Sequence, residues 1–134
     1  MFDEVDAYCS LYVDANIEES VLAREIGEFF GVESEGDYVT TPQGNIAVVK
    51  NDEFDAKQRK DEKNGFLFYR MLLEIEPKVE MGKINAVTLV SRLLNHLWER
   101  NFPAVAACHY EDELPNKGKL ISENHSWGKY YIWK

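Results

Sequence analysis

The chain has 134 residues, a length that predicts one compact domain spanning 1–134. With 45% hydrophobic and 29% charged residues it has a globular rather than a disordered make-up, and its apolar runs fall far short of the roughly 20 residues that span a bilayer. Charge is unevenly spread: the net is −9, and residues 1–37 hold eleven acids against one base, Arg24, so the rest of the chain carries +1. A field of this sign repels nucleic acid and anionic membranes, and it steers a basic partner inward. The opening Met1-Phe2-Asp3-Glu4 is unlike a secretory or transit segment, and two cysteines make no disulfide scaffold. A reducing cytoplasm is the expected setting.

Residues 5–13 alternate, with Val5, Ala7, Cys9, Leu11 and Val13 on one side and Asp6, Tyr8, Ser10 and Tyr12 on the other. Period two predicts a strand with one buried face. Asn16 is the expected cap of a helix, with Glu19 completing a capping box. Ile17, Val21, Leu22, Ile26, Phe29 and Phe30 share a helical face that stops at Gly31. Residues 37–50 read as a strand region interrupted at Thr41-Pro42-Gln43-Gly44, by a hairpin turn or by an irregular start to the second half. Residues 51–64, almost without apolar side chains, read as a long exposed loop that has room for a helical turn.

The pattern over 66–75 predicts the strongest strand, with Leu67, Tyr69, Met71, Leu73 and Ile75 opposed to Phe66, Phe68, Arg70, Leu72 and Glu74. A second helix is expected over 85–100, capped by Asn85 and ended by Asn101 and Pro103. Residues 104–110 read as a strand of small side chains, Pro115-Asn116-Lys117-Gly118 as a turn, and Tyr130-Tyr131-Ile132-Trp133 as a short last strand. The order β-α-β-β-α-β is the split βαβ arrangement of the ferredoxin-like α+β fold: an antiparallel sheet, both helices on one face, and here a C-terminal extra strand.

On that fold, Tyr8, Tyr12, Phe66, Phe68, Arg70 and Leu72 occupy the sheet face away from the helices. An apolar patch of this size calls for a cover, supplied by the C-terminal segment, a second copy or a ligand. Leu11-Tyr12-Val13 and Gly65-Phe66-Leu67-Phe68 resemble the aromatic motifs of RNA-recognition-motif domains, a likeness that implies base stacking by Tyr12, Phe66 and Phe68. Leu67 stands where that motif has glycine, and the charge has the wrong sign for phosphate, so nucleic acid is not the expected partner.

Motifs that carry chemistry are scarce. The sequence has no Gly-rich phosphate loop, no His-Glu-x-x-His and no Cys-x-x-Cys, so neither a catalytic residue nor a cofactor is assigned. His109, Glu111 and Glu113 alternate as metal ligands on a strand would, but charged strand ends share that pattern, and no metal is assigned. Cys9 and Cys108 sit on strands expected to be neighbours, which would bring the thiols close. His96, off the apolar stripe of its helix, reads as a surface histidine. Arg70, among apolar neighbours, would seek a carboxylate such as Glu74 or a partner's acid.

The reading that follows is a non-catalytic acidic module docking a basic protein partner through Tyr8, Tyr12, Phe66, Phe68, Arg70, Glu18, Glu19, Glu25 and Glu28. An inhibitor or bacterial immunity-type protein is its concrete form. Two alternatives are a small-molecule-binding or small enzyme domain, with a pocket near His109 and Arg70, and a structural module pairing with itself across the aromatic face.

Overall fold

The computed structural model describes residues 2–61 and 64–120, so the expected strand at 130–133 lies outside the described residues. The chain runs through α1 (Glu4–Ala7), β1 (Cys9–Val13), α2 (Glu19–Phe30), β2 (Ser34–Glu35), β3 (Tyr38–Thr41), β4 (Gly44–Lys50), β5 (Met71–Pro77), α3 (Gly82–Glu99), β6 (Ala104–Ala107) and β7 (Lys119–Leu120). All seven strands form one antiparallel sheet in the order β2-β3-β4-β5-β1-β6-β7, which makes the fold α+β.

Register explains the layers. Cys9, Leu11 and Val13 of β1 face the same way as Met71, Leu73 and Ile75, their partners on β5. Ile46 and Val48 of β4 join them. Onto this apolar face pack Leu22, Ala23 and Ile26 of α2 and Ala86, Leu89, Val90, Leu93, Leu94 and Leu97 of α3. Each fully buried leucine contributes about 1.5–3 kcal/mol, so this shared core dominates the stability. The opposite face carries a smaller cluster of Tyr69 and Val105, with Tyr12 and Phe66 packed against it.

Two glycines are required by geometry. Gly31 ends α2 in the left-handed region at φ 75°. Gly44, where β4 starts against β5, leaves no room for a side chain: a Cβ there would lie 2.6 Å from the Glu76 carbonyl oxygen. The Thr41 hydroxyl closes the β3–β4 turn, donating to the Gly44 carbonyl at 2.9 Å and accepting from the Gln43 and Gly44 N–H groups.

Several expectations need correction. The strand begins at Cys9: Asp3 caps a helical turn by accepting from the Asp6 N–H, so Val5 points to solvent at 71% exposure. α2 starts after Glu18 rather than Asn16, because Asp14 and Ala15 are buried and Ile17 packs on the core, which holds residues 14–17 outside the helix. Residues Gly65–Phe68 form a 3-10 turn instead of the start of β5, and Tyr69 is buried beneath the face away from the helices. α3 begins at Gly82. Asn85 is inside it, its side-chain amide donating to the Gln43 carbonyl at 3.0 Å, a tertiary bond that displaces the capping role. The strand of small residues ends at Ala107, and the chain then turns so that the Tyr110 hydroxyl donates to the Ala7 carbonyl at 2.7 Å.

Candidate functional site

β1 ends in a carboxylate that organises one end of the sheet. Asp14 is 1% exposed, and a charge removed from water to that degree needs paired and hydrogen-bonded oxygens. Its Oδ2 accepts from Arg59 Nη1 at 2.7 Å. Its Oδ1 accepts from the Arg70 N–H at 3.1 Å, with Arg70 Nε 3.8 Å away. Both guanidinium groups lie over the Phe54 ring, at 5.7 Å for Arg59 and 4.6 Å for Arg70.

The segment expected to be a solvated loop is therefore anchored. Arg59, only 9% exposed, sits in a 3-10 turn (Gln58–Lys60). Asn51 Nδ2 donates to the Leu67 and Tyr69 carbonyls at 2.9 and 2.8 Å, and the Asp55 N–H donates to Phe68 O. Asp55 in turn accepts from the Lys57 and Gln58 N–H groups, and these bonds hold its carboxyl below the usual carboxylate range. Arg70 does find a carboxylate, in Asp14 of the same chain rather than in Glu74 or a partner.

Two clefts open beside this anchor. The larger, about 530 Å³, is lined by Glu18, Glu19 and Ser20 at the start of α2, Gly36 and Asp37 in the β2–β3 turn, and Lys50 at the end of β4. A second, about 300 Å³, shares Glu19 and Lys50 with the first and reaches Asn51, Phe54 and Arg70. Three acidic residues and one lysine line the first cleft, an imbalance of charge that favours a further cation.

The remaining residues expected to bind a partner are dispersed. Tyr12 meets Phe66 edge-on at 5.4 Å between ring centroids, both half-buried. Phe68 is half-buried in the 3-10 turn. Tyr8, 37% exposed, is by Glu4, Asn45 and Glu76 in a separate cleft, where burial and the Glu74 and Glu76 carboxylates raise its pKa against the pull of a hydrogen bond to Ser10. Glu25 is engaged within the chain: Arg100 Nη1 donates to both its oxygens at 2.6 and 2.8 Å, and His96 Nε2 lies 3.0 Å from one of them. His96 is half-buried and stacked on Phe29 at 4.4 Å between centroids, so it is not the solvated histidine that its place on the helix predicts. Glu28 is exposed and borders a shallow cleft with Arg24 and Glu33.

His109 and Arg70 line different clefts, the former with Phe2, Asp6, Lys83 and Tyr110. Glu111–Glu113 is a 3-10 turn, which removes the strand spacing on which a metal site with His109 depended. There Glu111 accepts from the Cys108 N–H at 3.0 Å, and Glu113 pairs with Lys83. Among the described residues no group of three or more His, Cys, Asp or Glu side chains is placed to hold a metal ion, and no helix is long and apolar enough to cross a membrane. Asp14, Arg59, Asp37 and Lys50 escaped the sequence reading. For Asp14 one signal was available: an acid following directly on an apolar strand end, between Val13 and Ala15.

No protein-family model, curated protein or solved structure matches the chain at a significant level.

Proposed function

We propose that this chain is a non-catalytic, acidic protein-binding module built on a ferredoxin-like split βαβ framework. The strand order supports the framework: β4-β5-β1-β6 are adjacent, with α2 between β1 and the β2–β4 meander and α3 between β5 and β6. The observation that carries the function is the acidic cleft, lined by Glu18, Glu19 and Asp37 against the single base Lys50. An arginine or lysine of a basic partner would enter it, after steering by the −10 charge of residues 1–37. Glu28, Glu33 and Glu35, all exposed on α2, β2 and the turn between them, extend the acidic surface. An inhibitor or immunity-type protein that neutralises a basic toxin is the concrete form of this reading. Tyr8, Tyr12, Phe66 and Phe68 stand apart from this cleft, and Glu25 is already committed to Arg100.

The test is retention of a partner from the native host by three forms of the protein: unaltered, Glu18→Lys/Glu19→Lys/Asp37→Lys, and a control reversed at the exposed Glu80 and Glu99. The expected result is a basic protein held by the first and third forms and lost by the second. Equal retention by all three, or capture of an acidic partner, overturns the reading.

A further inference from the structure

We infer that Cys9 and Cys108 form a reversible thiol–disulfide site, in which a hydroperoxide oxidises Cys108 and Cys9 resolves it to a cross-strand disulfide. The register brings the two to the same end of the sheet. In the β1–β6 pair Ser10 stands opposite Ala107, and Cys9 and Cys108 are the next residues along, Cys9 at the start of β1 and Cys108 just past the end of β6. Both side chains belong to the helix-covered face, Cys9 fully buried and Cys108 half-buried against the same core. Residues facing each other across an antiparallel pair have Cα atoms about 4.5–5.5 Å apart, inside the roughly 4.4–6.8 Å window of a disulfide, and a bridge at this strand end requires Cys108 to keep to that spacing.

The pair is asymmetric in the way such chemistry needs. Cys108 is the more accessible sulfur, and it accepts from the Cys9 S–H and from the Tyr110 N–H, which together hold its pKa below the ordinary thiol value despite burial and the Glu111 carboxylate. Cys9 is pushed up by donating to Cys108 and by burial, so it keeps its proton until it is called on as the second thiol. The Cys108 thiolate attacks the terminal peroxide oxygen. The O–O bond breaks, an alcohol or water leaves with a proton, and Cys108 becomes a sulfenic acid, its sulfur oxidised by two electrons. The Cys9 sulfur then attacks Cys108 Sγ. An S–S bond forms, and the sulfenic hydroxyl leaves as water with the Cys9 proton. The sum is two thiols and one hydroperoxide giving one disulfide, one alcohol (or water) and one water.

This site is independent of the acidic cleft, which lies where β4 ends and α2 begins. The disulfide would tie β1 to the end of β6 and close a loop of about 100 residues, so it stabilises the fold chiefly by restricting the unfolded chain. The experiment treats the full chain with one equivalent of hydrogen peroxide and reads intact mass, free thiols and Tm. The expected product is a monomer lighter by about 2 Da, without free thiols, with Tm raised by at least about 5 °C and returned by dithiothreitol. In Cys9→Ser, Cys108 should stop at a sulfenic acid trapped by dimedone. In Cys108→Ser, a change at the half-buried position, the remaining Cys9 should stay unreactive in the folded protein. Two free thiols after treatment, a disulfide-linked dimer, or over-oxidised Cys108 with Cys9 still reduced would overturn the proposal.

Discussion

Asp14 and Glu25 each hold two basic side chains, yet their settings differ. The Asp14 side chain is 0% exposed and its partner Arg59 11%, while Glu25 is 24% exposed and its partner Arg100 44%. Both carboxylates accept from an arginine side chain, and the two settings differ most in how far water reaches them. Around Glu25, water screens the charges and takes over when a partner leaves, which keeps such pairs near 0–1 kcal/mol. Around Asp14 water is excluded, and its oxygens accept from Arg59 and from the Arg70 N–H inside the fold. One pair decorates the seam between α2 and α3. The other ties residues 51–61 to residues 64–70 and thereby places Lys50, Asn51 and Arg70 along the clefts.

Breaking the buried pair should have the largest effect. Asp14→Ala leaves Arg59 without its carboxylate and should cost about 3–5 kcal/mol in chemical denaturation. Loss of less than about 1 kcal/mol would mean that Arg59 reaches water. The double change Asp14→Leu/Arg59→Met removes both charges, and it should be milder than Asp14→Ala because no ion is left stranded. Glu25→Ala should cost at most about 1 kcal/mol, and that loss should shrink when denaturation is repeated at high salt. The smallest effect is expected at Asp55. Its folded-state pKa lies below the unfolded value, so its contribution is present above the usual carboxylate range and fades as pH falls through the folded pKa. Melting curves of Asp55→Asn and the unaltered chain should therefore differ at neutral pH and converge as acid protonates the folded-state carboxylate. A difference that grows on acidification contradicts this.

The helix-covered face was legible because it is periodic. Cys9, Leu11 and Val13 at spacing two, and Leu22, Ile26, Val90, Leu93 and Leu97 at helical spacing, announce a buried side without reference to distant sequence. The alternation fails where local capping competes with it, as at Asp3–Asp6, or where a tertiary bond takes over, as at Asn85. Residues 66–70 misled for a related reason: their aromatic alternation suits a strand, but Asn51 and Asp55 bind the Leu67, Tyr69 and Phe68 backbone and hold a 3-10 turn there. The Asp14 anchor joins residues 45 and 56 positions apart, and charged residues in a polar stretch give no local sign of such pairing. The acidic cleft was half legible. Glu18 and Glu19 stood out by charge, whereas Asp37 and Lys50 join them only through the order of the strands.

Amide hydrogen exchange of the protein, alone and bound to the basic partner it retains, tests the central claim most directly. The account predicts slowed exchange at residues 18–20, at Gly36 and Asp37, and near Lys50, with Tyr12 and Val105 unchanged. Slowing confined to Tyr12, residues 66–69 and Val105, with the cleft unaffected, would place the partner on the other face and contradict it.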